Sequence, residues 1–279
     1  MLPNLFIVGA QKSGTTSLHY LLESHREIFF PRRPQEIHYF DIEENYRRGA
    51  DWFESCFDDW QGEAYCAQTS PLYMYEPVVA ERMQALVPGA RSIFILRNPI
   101  DRAYSHYWHE VRYGYEELPF RGALEAESSR LRGGFTARRH FSYLDRGRYS
   151  VQIRRFQEKF PGDQLLFLLQ DELKSSPQQV KEKVAGFLAV DLEGFEVKPQ
   201  ERWHFNRTGM PRIRSLQRWR RRCAKKLPWV AFAIDQVNLV DRRYPPMKSQ
   251  DRQWLQERFA QEIEDLGRLT GLPVGSWLD

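Results

Sequence analysis

Four groups of residues have the types and spacing to do chemistry. The first, Gly9-Ala10-Gln11-Lys12-Ser13-Gly14-Thr15-Thr16, sets a lysine and three hydroxyls around two glycines. Consecutive backbone N–H groups at a helix start carry partial positive charge, so such a loop can hold a phosphate or sulfate without burying an unpaired charge. The second, Arg97-Asn98-Pro99-Ile100-Asp101-Arg102, is followed by Ser105, and a guanidinium at a strand end suits bidentate phosphate binding. The third is Glu36 and His38, which share a side if their stretch is extended. The fourth is a basic window, Arg202 to Lys226, with ten Lys/Arg and no acidic residue. Each group has a plainer reading. They are a glycine turn with a solvated lysine, an arginine paired with Asp101 or capping a helix, a surface glutamate beside an aromatic, and the solvated face of an Arg-rich helix.

The elements around these groups sharpen them. Leu5-Phe6-Ile7-Val8 predicts a strand leading into the first loop, and Ser17-Leu18-His19-Tyr20-Leu21-Leu22 predicts a helix leaving it. Gly9 and Gly14 have the spacing of a P-loop, G-x-x-x-x-G-K-[ST], but Thr15-Thr16 stand where Lys-Ser/Thr should, and the lysine has moved inside to Lys12. Ser92-Ile93-Phe94-Ile95-Leu96 predicts a buried strand. It delivers Arg97 at its carboxyl end, beside the loop if the two strands are neighbours. Asp101 starts the next helix, with Ser105 one turn on.

Further strands are expected at 63–67 and 165–169, and Ile28-Phe29-Phe30 precede an Arg-Arg-Pro turn. Helices are expected behind Pro77 (Val79, Met83, Leu86), from Ser150 (Ile153, Phe156, Phe160), behind Pro177 (Val180, Val184, Phe187, Leu188) and over Leu255, Phe259, Ile263 and Leu266. The stretch 35–41 alternates polar and apolar residues at first and predicts a short strand or loop edge. Residues 43–62 predict an irregular helical excursion, and 112–148, the least regular part, a lid or acceptor-binding insertion. Strand–helix alternation implies an α/β fold on a parallel sheet with right-handed crossovers.

Composition bounds the rest. With 279 residues, 42% hydrophobic and 14% aromatic, the chain can bury one substantial core, and a single domain over 1–279 is expected. Cys56, Cys66 and Cys223 are too few for a disulfide framework or a four-ligand zinc site, and are expected as reduced thiols. No apolar run approaches a membrane span and the N-terminal one is too short for a signal peptide, so a soluble cytoplasmic protein is expected. Net charge is +4, and outside the basic window 31 basic groups face 37 acidic ones. Magnesium-dependent phosphoryl transfer is disfavoured, because the strand before Arg97 ends in Arg97-Asn98 rather than Asp and the loop lacks Lys-Ser/Thr. No metal is expected.

Taken in order, the opening loop, the Arg-Asn-Pro-x-Asp-Arg-x-x-Ser run and Asn206-Arg207-Thr208-Gly209 resemble the nucleotide-binding motifs of sulfotransferases that use 3′-phosphoadenosine 5′-phosphosulfate (PAPS). The resemblance runs from about residue 4 to 212. It implies a P-loop-like three-layer sandwich, a central parallel sheet flanked by helices. It implies that Lys12, Ser13, Gly14, Thr15 and Thr16 hold the 5′-phosphosulfate and that Arg97 and Ser105 bind the 3′-phosphate. Arg207, Thr208 and Gly209 would close over the nucleotide. Glu36-Ile37-His38-Tyr39-Phe40-Asp41 is similar to the Glu-x-His-Phe-Phe run of glycan sulfotransferases, where the glutamate is the proposed base. Glu36 would then take the acceptor's proton, with His38 supporting it or binding the acceptor. The product would be adenosine 3′,5′-bisphosphate (PAP).

Two departures limit the likeness. The cysteine pair that follows the late loop in some secreted glycan sulfotransferases is absent, and Thr69-Ser70-Pro71 stands where some relatives carry a lysine before Thr-Pro. The acceptor stays open among carbohydrate, lipid, polyketide or another small molecule, its pocket drawn from 40–60 and 112–148. No nucleic-acid partner is expected. A nucleotide-dependent small-molecule kinase and a non-enzymatic polyanion-binding protein built on 202–226 remain as alternatives.

Overall fold

Runs such as LFIVG and RSIFIL are apolar on both faces, which a strand tolerates only when it is covered on both sides. In the computed structural model, which describes residues 1–32, 36–196, 209–224, 226–241 and 244–278, they form the middle of a sheet. In chain order the elements are β1 (Leu5–Gly9), α1 (Thr15–Glu23), β2 (Ile28–Phe29), α2 (Glu43–Tyr46), α3 (Ala50–Ser55), β3 (Tyr65–Thr69), α4 (Val79–Leu86), β4 (Arg91–Leu96), α5 (Pro99–Tyr113) and α6 (Phe120–Leu131). They continue as α7 (Phe135–Phe141), α8 (Tyr149–Gln157), β5 (Leu165–Leu169), α9 (Gln170–Ser175), α10 (Pro177–Leu188), β6 (Gly209–Pro211), α11 (Arg214–Ala224), α12 (Pro228–Asn238), β7 (Leu239–Asp241) and α13 (Ser249–Thr270). Two compact units result. One comprises Met1–Arg97, Tyr149–Phe205 and Asp265–Val274, the other Asn98–Arg148, Asn206–Glu264 and Gly275–Asp279.

The first unit holds a five-stranded sheet of order β2-β3-β1-β4-β5, every pair parallel. Leu5 aligns with Ala67 on one side and Arg91 on the other, and Leu96 aligns with Leu169. Alternate residues of a strand face opposite ways. Leu5, Ile7, Ile93 and Ile95 accordingly pack against Leu18 and Leu22 of α1 and Val180, Val184 and Leu188 of α10. Phe6 turns to Phe40 and Tyr73, and Phe94 to Phe156 of α8. The result is the expected three-layer α/β arrangement.

Because the strands run in one direction, their carboxyl ends share one edge. The Ala10 N–H donates to the Ile95 carbonyl at 2.8 Å, and the Ser70 N–H to the Ile7 carbonyl at 3.0 Å. These bonds put the opening loop, Thr69-Ser70 and Arg97 at that edge. The stretch 36–41, expected as a short strand or loop edge, is a loop without strand pairing. His38 there adopts φ +54°, which a strand cannot accommodate.

In the second unit, α5 buries Arg102, His106 and Glu110 along with Ile100 and Ala103. The interior is polar, and its carboxylates are hydrogen-bonded. Glu116 accepts from Arg130 Nη1 at 2.6 Å and from the Tyr143 hydroxyl at 2.8 Å, and Glu110 accepts from His140 Nδ1 at 2.8 Å. Residues 112–148, expected to be irregular, contain α6 and α7. The buried stripe of α6 is Phe120, Ala123, Leu124 and Glu127, so a carboxylate interrupts the apolar period that would reveal a helix. Burial pushes Glu127 up to about 7, although the Leu144 and Asp145 N–H groups, donating at 2.6 and 2.7 Å, pull the other way.

Gly9 is where packing and chain geometry meet most tightly, since a Cβ there would lie 2.8 Å from Met74 Cβ. Met74 cannot easily yield, because its N–H is bound to the Val8 carbonyl at 2.8 Å. Gly9→Ala should therefore lower unfolding stability by about 1–3 kcal/mol. Urea denaturation with an unchanged midpoint would contradict this packing.

Candidate functional site

The anion loop is built at the junction of β1 and α1. Gly14 precedes α1 at φ +96°, a conformation that suits glycine, and Lys12 sits in the loop at φ +67°. The first N–H groups of any α-helix lack partners within the helix. Here no side chain caps them and no acidic residue lies in the first turn, so the positive end of α1 stays uncompensated. Two hydroxyls at the same edge are in the same condition. Ser13 and Ser70 are fully buried, and neither Oγ has a hydrogen-bond partner among the described residues. Buried polar atoms are nearly always paired, so unpaired donors at a helix start are features that an anion would satisfy.

Arg97 closes the loop from the side of β4. Its Nη1 donates to the Lys12 carbonyl at 3.4 Å, while its own carbonyl accepts from the Tyr149 hydroxyl at 3.0 Å. The backbone at the strand end is thereby fixed and the guanidinium is brought to the loop.

The second half of the site is a chain of three side chains. His38 Nε2 donates to Glu36 Oε2 at 3.1 Å and its Nδ1 donates to Asp41 Oδ2 at 2.8 Å. The Asp41 side chain is fully buried, whereas that of Glu36 is 45% exposed. Burial alone would discharge the imidazole. The hydrogen bonds from both carboxylates outweigh it and push His38 up to about 9, so the ring is an imidazolium at neutral pH.

Neighbouring groups hold this loop. Asn45 Nδ2 donates to the Ile37 and His38 carbonyls, both at 3.1 Å, and Arg82 Nη1 donates to the Phe40 carbonyl at 3.0 Å. The Tyr73 oxygen accepts from the Tyr39 and Phe40 N–H groups at 3.0 and 3.3 Å. Tyr73 and Met74 are adjacent, and Met74 covers Gly9. Consecutive residues thus position the Glu36 loop and the anion loop.

Of the residues expected at a site, Lys12, Ser13, Gly14, Thr15, Thr16, Arg97, Glu36 and His38 all lie in the first unit. The first six gather at the carboxyl edge, and Glu36 and His38 form one hydrogen-bonded pair. Ser105 is a buried residue of α5 in the second unit. Gly209 begins β6, where it pairs with Asp241 of β7. Arg207 and Thr208 lie outside the described residues. Among the described residues, no group of three or more His, Cys, Asp or Glu is arranged to hold a metal ion.

Sequence reasoning gave no role to Asp41 or His19. Asp41 follows His38 by three residues, a spacing that brings the two together only once the loop turns. His19 on α1 shares a 2.9 Å hydrogen bond with Thr69 Oγ1 at the end of β3, and burial drives it down to about 4, leaving it neutral.

The model of the sulfotransferase domain family matches residues 2–215 of the chain. Similar proteins include the human bifunctional heparan sulfate N-deacetylase/N-sulfotransferase 2, 28% identical over 302 residues that take in 99% of this chain and 31% of that protein. The Xenopus tropicalis bifunctional heparan sulfate N-deacetylase/N-sulfotransferase 1 is 32% identical over 203 residues, 67% of this chain and 22% of that protein. The chain therefore spans less than a third of the length of these relatives. Among solved structures, a sulfotransferase from Alicyclobacillus acidocaldarius matches over the whole of both chains with a TM-score of 0.73 at 27% identity. Mouse sulfotransferase SULT7A1 complexed with PAP shares the fold, with a TM-score of 0.51 at 18% identity over 96% of this chain and 87% of that one.

The His38 geometry sets a pH signature. A group whose pKa is raised on folding contributes stability below its unfolded value, here 6.5, and loses it as pH rises through about 9. Unfolding free energy should fall between those limits by up to about 3 kcal/mol, and His38→Gln should flatten that decline. In NMR titration the His38 ring should have its midpoint near 9, moving toward 6.5 in Asp41→Asn. A wild-type midpoint at or below 6.5 would refute the bridged imidazolium.

Proposed function

The chain belongs to the sulfotransferase domain family, and from that premise we propose that it transfers a sulfuryl group from PAPS to a hydroxyl or amine of an acceptor, releasing PAP. One observation carries the reading. An uncapped helix start with the buried, unpartnered Ser13 hydroxyl is tied through Tyr73-Met74 to a half-exposed glutamate that is locked by hydrogen bonds.

The donor brings a sulfuryl group bonded to a phosphate that can depart, and transfer between in-line oxygens through a loose transition state asks mainly for positioning and charge stabilisation. Ser13 and the N–H groups of Gly14, Thr15 and Thr16 hold the phosphosulfate. Lys12 meets the negative charge that grows on the departing phosphate oxygen, and preorganised donors of this kind contribute about 3–4 kcal/mol each. Glu36 keeps Oε2 on His38, which leaves Oε1 to take the proton of the attacking hydroxyl or amine. Such a base contributes about 10²–10⁴-fold. The reading calls on no metal.

Motif matching assigns Arg97 and Ser105 to the 3′-phosphate, and Arg207, Thr208 and Gly209 to the nucleotide. The heparan sulfate N-sulfotransferase relatives support a carbohydrate acceptor bearing an amine or a hydroxyl. Cys56, Cys66 and Cys223 are unpaired, which supports a reducing compartment such as the cytoplasm.

PAP should bind tightly with magnesium chelated. Magnesium-dependent ATP binding without PAP binding would replace this reading with a kinase. Glu36→Gln should lower turnover by about 10²-fold or more with PAP affinity within about twofold. Full activity in that variant would move the base elsewhere. Arg97→Ala should weaken PAP binding by roughly tenfold, the loss of a charge-assisted hydrogen-bond pair. Labelled donor offered to glucosamine oligosaccharides with free or acetylated amines distinguishes N- from O-transfer.

A further inference from the structure

In the second unit, α11 and α12 form an antiparallel-paired element whose outward face is unlike an ordinary protein surface. A surface helix normally turns its apolar stripe to the core and its polar residues to water. On α12 the inward stripe is Ala231, Ile234 and Asn238, yet the opposite face is also apolar. Trp229, Phe232 and Val237 stand outward, 70%, 64% and 69% exposed, with Ala233 beside them. Leu227, at the turn before α12, extends the apolar surface.

The helix preceding this face supplies charge. The outward side of α11 carries Arg218, which donates to Glu117 at 3.1 Å, and Arg222 beside the exposed Trp219, and Lys226 lies in the turn. From Arg212 to Asn238 the sequence holds eight Lys/Arg and one acidic residue, Asp235. That acid faces Arg220, which donates to it through Nε at 3.0 Å and Nη2 at 2.8 Å. The pair fastens α11 to α12, while Arg222 and Lys226 stay exposed.

We propose that the α11–α12 hairpin is a docking surface for an anionic lipid bilayer, with Trp229 and Phe232 entering the headgroup–acyl boundary and Arg222 and Lys226 meeting lipid phosphates. Exposed Trp and Phe beside Arg and Lys are the composition of elements that lie in a membrane interface, where rings bury their apolar bodies and cations stay at headgroup level. A protein partner would also accept the apolar stripe, and a soluble polyanion would also accept the charge. An anionic bilayer satisfies both together. Among the described residues no helix is long and apolar enough to cross a membrane, and the contact proposed is that of an element lying in the interface. The proposal is independent of sulfuryl transfer, and its test uses no turnover.

Flotation of the full chain with vesicles tests it, comparing phosphatidylcholine alone with phosphatidylcholine containing roughly one-third phosphatidylglycerol. The chain should float with the anionic vesicles and roughly tenfold less with the neutral ones, and added salt should weaken the binding. Trp229→Ser/Phe232→Ser and Arg222→Glu/Lys226→Glu should each reduce flotation about tenfold, with thermal midpoints near wild type because all four residues are exposed. If the apolar pair destabilises the fold, the charge pair decides. Failure to float overturns the proposal. So does binding that neither pair alters, or a solution dimer that Trp229→Ser/Phe232→Ser dissolves while vesicle binding is absent.

Discussion

The reactive edge depends on β1 being paired on both sides, to β3 and β4, in one direction. Parallel pairing of buried strands gathers their carboxyl ends, and each end then launches a different functional piece. The strand β1 launches the anion loop, β3 launches Thr69-Ser70 and the Tyr73-Met74 turn, and β4 launches Arg97. Reversing any one of these strands would send its piece to the opposite end of the sheet. The core packing of Leu5, Ile7, Ile93 and Ile95 is therefore also what aims the chemistry. The same constraint explains why Gly9 has no room for a side chain, since the Met74 turn must descend onto the loop.

Charge balance is the second constraint. A carboxylate acts as a base only when ionised, yet the proposed donor is anionic too, and like charges at close range repel strongly where water is excluded. With His38 neutral, Glu36 and Asp41 would together carry two negative charges. With His38 protonated, the three side chains together carry one. The hydrogen bonds that override burial at His38 thus halve the negative charge of the cluster and also hold Glu36. Asp41 contributes from full burial, where its bond to Nδ1 is shielded from water. Proton uptake by Glu36, the proposed base, would leave the imidazolium paired with Asp41, so the glutamate could change charge without stranding its partner.

Much of this was legible in the residues. The loop spacing and the run into Arg97 follow from motif, and β5 falls on 165–169 as its apolar run predicts. What escaped has physical reasons. The Glu36–His38 pair forms across a loop with a left-handed His38, not along a strand, because tertiary hydrogen bonds donated by Asn45 and Arg82 and accepted by Tyr73 override the local alternation. Asp41 acts through burial and a turn, and neither is written in a period. In 112–148 α6 hides because its buried stripe carries Glu127, which becomes acceptable only when the Leu144 and Asp145 N–H groups meet it, and α7 hides because it buries no residue at all. Satisfied buried polar residues look like surface residues in a sequence.

The basic window shows the same limit from the other side. As a string, its arginines read as one solvated face, but they have separate duties in the structure. Arg220 is tied to Asp235, Arg214 lies 5.2 Å over the Trp108 ring and Arg221 lies 5.0 Å over Tyr115, so these three help hold the second unit together. Arg222 and Lys226 face solvent. Counting charges could not make that division, because a guanidinium packed on an aromatic ring and one in water are the same letter. Nor could it show that the following helix turns Trp229 and Phe232 outward. Scattered apolar exposure is ordinary, but a second apolar stripe on a helix whose first already meets the core has no role within the fold. The charge beside that stripe selects what kind of surface it can meet.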